Sequence, residues 1–384
     1  MTQSFLTRLR RVWLTLHLWL GVGLMVVLVP LSVSGALLVW HDALDRALYA
    51  QRYAVSGPAA AQSASAYATA AQTAFAGQAA LTQLRLPFRA GDPVVAVGRI
   101  LGPPGANGRP RTLNAWIDPP TAKVLATAEI ANTATMVIHR LHGQLLVPTV
   151  GRRIVGWLGW AMFVSAATGL WLWWPRHANG LKGLRWRRGA SPLFNLHHMT
   201  GFWLCLPLAV LSLSGVYIAF PQASHALLGA PPPPGPGMGQ RRAGNDPRFA
   251  PPLAAPHLTV DQAVGAALAE APGATLASVN LPQAGKGPAW RIEVQPPGKA
   301  SSRTIRVGDF SGAVKPAKDR PAGSREGAPD KRSRWIRRLH DGTDMGPAWR
   351  TIITAAGIAP LVLSLSGLGM WLRRRARRLK LRPA

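Results

Sequence analysis

The sequence is poor in cysteine and in acidic residues. Its 384 residues include one cysteine and 15 aspartates and glutamates, against 44 lysines and arginines. A lone cysteine excludes an intramolecular disulfide. The sequence also lacks a P-loop, and it lacks a G-x-G-x-x-G turn that opens a helix after a strand. These absences exclude a recognisable soluble module for NADH, flavin or ATP.

Apolar residues, by contrast, are abundant and concentrated in four runs. They make up 48% of the chain, and the runs are residues 12–40, 154–174, 193–220 and 351–372. Each run supplies the roughly 20 residues that a helix needs to cross a membrane, so the sequence predicts four transmembrane helices. The net charge of +29 would suggest a nucleic-acid partner for a soluble protein. A chain that lies half in lipid has no such partner.

Basic residues in the short segments predict the orientation of these helices. Five lie in the loop at 175–192, and seven lie in the tail after residue 372. The positive-inside rule places both segments and both termini in the cytoplasm. The two long segments then face a bacterial periplasm, and the chain is expected to be a multi-pass protein of the inner membrane.

The predicted domains follow from this topology. Residues 1–40 form the N-terminus and first span, 41–150 the first outer domain, 151–174 the second span, 175–192 the cytoplasmic loop, 193–220 the third span, 221–348 the second outer domain, and 349–384 the fourth span with the basic tail. A proline-rich run at 231–239 and a basic stretch at 315–334 are predicted to be linkers or loops inserted in the second outer domain.

The two halves of the chain repeat the same spacing of histidines and small residues. A histidine precedes a Ser-Gly pair by 17 residues in both halves (His17 to Ser34-Gly35, His197 to Ser214-Gly215), and a second histidine precedes a Thr-Gly or Ser-Gly pair by 26 (His142 to Thr168-Gly169, His340 to Ser366-Gly367). A fixed spacing indicates internal duplication. Because each half has two spans, the repeat is parallel. Its symmetry pairs His17 with His197 near the cytoplasmic side and His142 with His340 near the outer side.

The outer segments also agree in order. Each has a helical stretch, at 67–77 and 260–271, followed by strands and by an aspartate-containing turn before the last strand. The sequence therefore predicts a membrane α-helical fold with four transmembrane helices from a parallel internal duplication, plus two periplasmic α+β domains.

Paired histidines at membrane depth indicate a bound cofactor. Ionisable residues within a span are costly and usually face a partner or a cofactor, and neutral imidazole ligates metals readily. Two histidines per side are too few for tetrahedral zinc. Haem supplies four nitrogens itself, and two axial histidines complete a six-coordinate iron that suits electron transfer. We predict two b-type haems, one held by His17 and His197 and the other by His142 and His340.

Other polar residues near these pairs have less defined roles. His198 has no histidine counterpart in the first half, so we expect it beside the cofactor, or in place of His197 if the helix phase differs by one residue. The remaining histidines predicted at the surface are His139, His177, His225 and His257. The arginines expected to hold haem propionates, attract an anionic ligand or contact lipid headgroups are Arg140, Arg152, Arg153, Arg337 and Arg338.

The motifs, taken in order, resemble a known family. They are "LHLWLG", "LHHMTG", "RLHG", "RLHD", one "LSVSG", two "LSLSG" and "WIDPPTAKVL". They are similar to the PepSY-associated transmembrane helix proteins, whose outer loops look like PepSY domains, over nearly the whole chain. The chain looks like the ferrisiderophore-reductase type among the iron-uptake members. That resemblance implies a two-haem relay that reduces Fe(III) in a siderophore or other iron chelate on the periplasmic side and so releases Fe(II).

The electron donor is expected to be a membrane quinol or a redox partner protein, since the sequence has no module for a soluble donor. Two other functions stay open on sequence alone. One is a haem-free module whose PepSY-like domains bind a peptide or a peptidase while the spans serve as an anchor. The other is a transporter of the iron chelate.

Overall fold

The fold is taken from a computed structural model, which describes residues 3–105, 110–173, 189, 191–227, 250–284, 287–298, 302–316 and 331–380. Most of the predicted cytoplasmic loop at 175–192, the proline-rich run at 231–239 and most of the basic stretch at 315–334 lie outside the described residues. The chain divides into two compact units. The helical unit comprises residues 1–41, 137–233 and 329–384, and the sheet unit comprises 42–136 and 234–328.

The helical unit contains the candidate membrane spans. Its helices are α1 (Gln3–Gly23), α2 (Met25–Leu38), most of α5 (Ala134–Gln144), α6 (Val150–Trp173), α7 (Pro192–Ala219), α8 (Pro221–Leu227), α10 (Lys331–Asp341) and α11 (Gly346–Lys380). Among the described residues, α6, α7 and α11 are each long and apolar enough to cross a membrane. The pair α1 and α2 passes the same test together and makes a fourth span if counted as one. A membrane-spanning protein is therefore confirmed, with three or four spans.

The first span differs from the continuous helix predicted for residues 12–40. Its two helices are bent by 68° at a break between Gly23 and Met25. Gly21 and Gly23 adjoin the break, and a Cβ at either position would meet no atom within 4 Å. Glycine has no side chain to restrain the backbone, and the break follows these two glycines, whereas Pro30 lies within α2.

One arginine in each half connects two of these helices by hydrogen bonds to backbone carbonyls. Arg152 of α6 donates hydrogen bonds to the carbonyls of Ile218 and Ala219 at the end of α7, at 2.6 and 3.2 Å. Arg350 of α11 donates to the carbonyl of Val39 at the end of α2. Such bonds satisfy carbonyls that a helix end leaves without an internal partner. An arginine of α6 thus caps the C-terminal end of α7, and an arginine of α11 caps the C-terminal end of α2.

Within the described residues, the core of the sheet unit is built from eight antiparallel strands and two helices. The strands are β1 (Ala79–Arg85), β2 (Val94–Ile100), β3 (Thr112–Ile117), β4 (Val124–Glu129), β5 (Thr275–Asn280), β6 (Ala289–Gln295), β7 (Arg303–Gly308) and β8 (Val314–Pro316). Their order is β4-β3-β2-β1-β5-β6-β7-β8. The helices α4 (Ala64–Phe75) and α9 (Val260–Ala269) contribute to one core with the strands. The unit also contains α3 (His41–Leu48).

The two long segments that the sequence predicts to face the periplasm contribute to one sheet. This single sheet differs from the expectation of two separate domains. β1 of the first segment pairs with β5 of the second, with Leu84 directly opposite Val279. Both side chains are fully buried in the same core. Each four-stranded half would otherwise expose an open edge, and pairing the two edges satisfies their backbone groups. Leu84 and Val279 each stand two residues before a Leu-Pro pair, Leu86-Pro87 and Leu281-Pro282, so equivalent residues meet across the join.

The aspartate turns serve this architecture. Asp118 accepts hydrogen bonds from the backbone N–H and the hydroxyl of Ser56, at 2.7 and 2.6 Å. Asp309 accepts from the backbone N–H of His257 at 3.0 Å and from the indole of Trp290 at 2.8 Å. Each carboxylate lies in the turn before the last strand of its half and binds the segment that precedes a helix, which is α4 for Asp118 and α9 for Asp309. The shared turn is therefore a structural element.

The join between the halves predicts a specific crosslink. Arg85 and Ser278 are direct partners across β1 and β5, at a non-hydrogen-bonded position where side chains come closest. In a Cys205→Ala background, Arg85→Cys with Ser278→Cys should form an intramolecular disulfide in the purified full-length protein, because the pair lies within disulfide reach. Non-reducing electrophoresis after cleavage between the halves measures the yield.

The matched control pairs Arg85→Cys with Glu293→Cys. Glu293 lies opposite Ser278 on β6, one strand farther from Arg85, at about 10 Å. This pair should stay reduced. Equal crosslinking of the two pairs, or crosslinking of neither, would contradict the shared sheet.

Candidate functional site

The structure brings four of the predicted site histidines together in two pairs. His17 of α1 lies beside His197 of α7, with ring centres 6.2 Å apart and planes at 90°. His142 of α5 lies beside His340 of α10, with ring centres 6.0 Å apart and planes at 39°. We call these the first pair and the second pair. All four helices belong to the helical unit at these positions.

Each of the four rings lies against the glycine of a Ser-Gly or Thr-Gly pair. A Cβ built on that glycine would approach the imidazole Cε1 to between 2.6 and 3.4 Å (Gly169 with His17 at 3.1 Å, Gly35 with His142 at 2.6 Å, Gly367 with His197 at 3.4 Å, Gly215 with His340 at 3.2 Å). At three of the four glycines this is closer than ordinary van der Waals contact. The small residues therefore form seats for the rings.

The hydrogen bonds of the seats determine which ring nitrogen carries the proton. Nδ1 of His142 bonds the carbonyl of Leu31 at 2.8 Å, and Nδ1 of His197 bonds the carbonyl of Leu363 at 3.0 Å. A carbonyl only accepts, so both Nδ1 atoms must donate. Nε2 is then the unprotonated nitrogen, with its lone pair available.

The other two histidines have the same arrangement with a hydroxyl. Nδ1 of His17 lies 3.2 Å from the hydroxyl of Thr168, and Nδ1 of His340 lies 3.0 Å from the hydroxyl of Ser214. Each hydroxyl already donates its single proton to a carbonyl of its own helix, at 2.8 Å for Thr168 and 2.7 Å for Ser214. The hydroxyl can then only accept from Nδ1. All four imidazoles consequently share one tautomer.

The second pair is neutral at physiological pH. Burial lowers the pKa of His142, and burial together with the nearby His142 lowers the pKa of His340 to about 4. Burial disfavours the charged imidazolium because a charge loses its hydration there. Neutral imidazole is the form that binds a metal ion.

The ring separations suit two ligands on one metal atom. An imidazole nitrogen binds a metal at about 2 Å and lies about 1 Å from its ring centre, so two axial imidazoles have ring centres about 6 Å apart. Both pairs have this separation. Within the described residues, no group of three or more histidine, cysteine, aspartate or glutamate side chains is placed to hold a metal ion. A metal held here needs further ligands that these side chains do not supply.

His198 lies outside the first pair. Its ring stacks on Phe194 with centres 5.2 Å apart and planes at 19°, and it also lies 6.0 Å from Trp173. Trp173 in turn stacks on Phe202 at 4.0 Å. Of the two adjacent histidines, His197 is the one that faces His17.

The other histidines are distributed as follows. His139 and His257 are exposed as predicted, and His177 lies outside the described residues. The prediction for His225 was wrong, because this side chain is only 8% exposed. It hydrogen-bonds Ser333 in a buried cluster, which the sequence comparison missed because the first half has Asp45 at this position.

One positive charge acts on His340 of the second pair. Arg337 is exposed on α10, and its charge helps to lower the pKa of His340 and, after burial and the effect of His41, that of His139. Two of the other predicted arginines are engaged with backbone, since Arg152 closes α7 and Arg338 donates to the carbonyls of Thr343 and Asp344. Arg337 is thus the described arginine best placed to meet an anion.

The seats predict opposite effects of the same substitution at two glycines. Gly35→Ala places a methyl 2.6 Å from Cε1 of His142, so the ring must move off Leu31. Gly367→Ala places a methyl 3.4 Å from His197, which is ordinary contact. Gly35→Ala should lower the melting temperature by about 2–6 °C. Gly367→Ala should leave it unchanged or raise it, because alanine favours helix over glycine.

Thermal unfolding of the purified proteins, followed by tryptophan fluorescence in one detergent, checks this difference. Equal effects of the two alanines would show that His142 is not held against Gly35.

Comparison with known proteins identifies the family. None of the curated proteins compared with the chain matches it. The model of the family described as PepSY-associated TM region matches residues 14–374, which is nearly the whole chain and includes all four paired histidines. The chain therefore belongs to the family of membrane proteins with a PepSY-associated transmembrane region.

Proposed function

We propose that this protein is a bacterial inner-membrane electron-transfer protein that holds two b-type haems and reduces a ferric siderophore on the periplasmic side. The observation that carries the proposal is the pairing of four histidines at ring separations of 6.2 and 6.0 Å. All four have the same glycine seat and the same tautomer. The internal duplication predicted from the sequence accounts for the two equivalent pairs.

The residues present fit haem better than a bare metal ion. Each pair supplies two neutral imidazoles, and a porphyrin supplies the remaining four nitrogens. Each Nδ1 donates to a carbonyl or hydroxyl, the arrangement that fixes the ring of a metal-ligating histidine and leaves Nε2 for the metal. All four histidine residues are of intermediate burial.

Haem bound in this way supplies a one-electron redox centre whose closed coordination favours electron transfer over oxygen binding. The protein holds the four imidazole rings in position. His17 and His197 would hold one haem near the cytoplasmic side, and His142 and His340 would hold the other near the periplasm. A site near each membrane face suits a protein that accepts electrons from a quinol or a redox partner inside and delivers them outside.

The charge near the second pair supports an anionic iron chelate as the substrate. Arg337 is exposed and close enough to lower the pKa of two histidines, and a guanidinium binds carboxylates well. Transfer of one electron converts chelated Fe(III) to Fe(II), which the hard oxygen ligands of a siderophore bind far more weakly. The iron is then released.

One observation favours transport of the chelate as a second candidate. The break between α1 and α2 leaves a discontinuous span, and discontinuous helices line the substrate sites of many transporters. Transport alone leaves the four histidine seats without a role. A haem-free peptide-binding anchor leaves them without a role as well.

The haem proposal predicts how single substitutions change the haem content. The purified protein should contain two b-type haems per chain. His17→Ala, His197→Ala, His142→Ala and His340→Ala should each reduce this to one, because an axial ligand is lost. Haem extraction with a pyridine spectrum counts the haems, and the reduced-minus-oxidised spectrum identifies which one remains.

His198→Ala is the matched control for His197→Ala. It removes an adjacent imidazole that stacks on Phe194, so both haems should be retained. A protein that is folded and colourless, or one that loses haem equally in the His197 and His198 variants, would contradict the assignment.

The proposed substrate predicts that a ferric chelate re-oxidises the reduced protein. Protein reduced with dithionite and freed of excess reductant should be re-oxidised by a ferric carboxylate siderophore, which is anionic, with Fe(II) trapped by a ferrous-specific chelator. His340→Ala should be re-oxidised at least about tenfold more slowly, because the outer centre is missing. The gallium(III) form of the siderophore is the control, since it takes up no electron under these conditions. Re-oxidation at the wild-type rate in His340→Ala would place the exit of electrons elsewhere.

A further inference from the structure

A buried polar cluster joins three helices of the helical unit beside the second pair. The hydroxyl of Ser333 on α10 lies 2.6 Å from the hydroxyl of Tyr217 on α7 and 3.1 Å from Nε2 of His225 on α8. Ser333 is 3% exposed and His225 is 8% exposed. The rings of Tyr217 and His225 also stack, with centres 5.7 Å apart and planes at 26°. The three side chains thus satisfy one another away from water.

The cluster is placed to control where His340 sits. Ser333 precedes His340 by seven residues on the same helix, which is two turns, so both side chains lie on one face about 10 Å apart. Tyr217 follows Ser214 by three residues on α7. The hydroxyl of Ser214 accepts the hydrogen bond from Nδ1 of His340. α10 is therefore fixed on α7 at two points, one at His340 and one at Ser333.

The first half has a hydrogen bond at the corresponding positions. Thr135 precedes His142 by seven residues, as Ser333 precedes His340. Asp45 follows His17 by 28 residues, as His225 follows His197. The hydroxyl of Thr135 donates to the carboxylate of Asp45 at 2.9 Å. Both halves therefore bond a hydroxyl of the histidine-bearing helix to a polar side chain of the short helix after the preceding span, although the two acceptors differ.

We propose that Tyr217, Ser333 and His225 form a positioning tie that holds α10 so that His340 rests against Gly215. The inference rests on the proposed function only for the role of His340 as a ligand. None of these residues reaches the second pair directly, so they act through the helix. A ligand must be held to within about half an ångström, and the tie adds a second side-chain contact between α10 and α7, two turns away from the contact at Ser214.

The test uses the full-length protein in detergent, with and without haem. Ser333→Ala and His225→Leu break the tie, while Ser333→Thr and His225→Gln keep a hydroxyl or an amide that can hydrogen-bond. Thr351→Ala is the matched control, because the Thr351 hydroxyl is exposed and bonds the Pro347 carbonyl of its own helix. Hydrogen exchange of peptides covering residues 331–341 and 346–380 is measured by mass spectrometry.

Ser333→Ala and His225→Leu should speed exchange in residues 331–341 by about five- to tenfold, because a buried hydrogen bond is lost. Exchange in residues 346–380 should stay as in the wild type. The conservative variants and Thr351→Ala should also behave as the wild type. Unchanged exchange in α10, or equal acceleration in both segments, would overturn the tie.

A second readout separates positioning from general stability. In haem-loaded protein, Ser333→Ala should shift the reduction potential of the outer centre and leave the inner one unchanged, because only one ligand is displaced. A shift of neither potential or of both would overturn the role in ligand placement. If the wild type binds no haem, the exchange experiment still decides whether the tie exists, and the proposed function fails separately.

Discussion

The hydrogen bond from Nδ1 of each paired histidine is the interaction on which the site depends. For His142 and His197 it goes to a backbone carbonyl, and for His17 and His340 to a hydroxyl that already donates to its own helix. The bond fixes the tautomer and leaves Nε2 free. It requires the ring to lie close to a helix backbone, and glycine is the residue that permits this approach. The glycines of three of these pairs, Gly35, Gly169 and Gly215, are therefore explained by the ring that rests on each, whereas Gly367 leaves room for a methyl group.

Much of this site could be predicted from the sequence. The equal spacings from each histidine to its small pair indicated four equivalent positions, and the parallel repeat indicated which histidines would meet. Spacing also favoured His197 over His198, and the structure places His198 in an aromatic stack. The glycines were less certain, since small residues in a span also allow simple helix packing. Only the distances from each glycine to a ring decide between these roles.

Other features were beyond sequence reasoning for physical reasons. The pairing of β1 with β5 depends on contacts between residues nearly 200 positions apart, and either half-sheet is plausible alone. The bend after Gly23 was missed because the apolar run continues without a charged residue through the break. His225 was missed because its counterpart is Asp45. In both halves a hydroxyl bonds the side chain at this position, Thr135 with Asp45 and Ser333 with His225. A search for identical residues cannot detect this correspondence.

The central claim is that each histidine pair holds one iron as a six-coordinate haem. Low-temperature electron paramagnetic resonance of the oxidised wild-type protein tests it most directly, because the spin state of ferric haem reports its axial ligands. The account predicts two low-spin ferric signals of equal intensity, both of the kind given by two imidazole ligands, with no high-spin component. A high-spin signal would show that at least one pair leaves an axial position open, and the absence of any haem signal from folded protein would contradict the account.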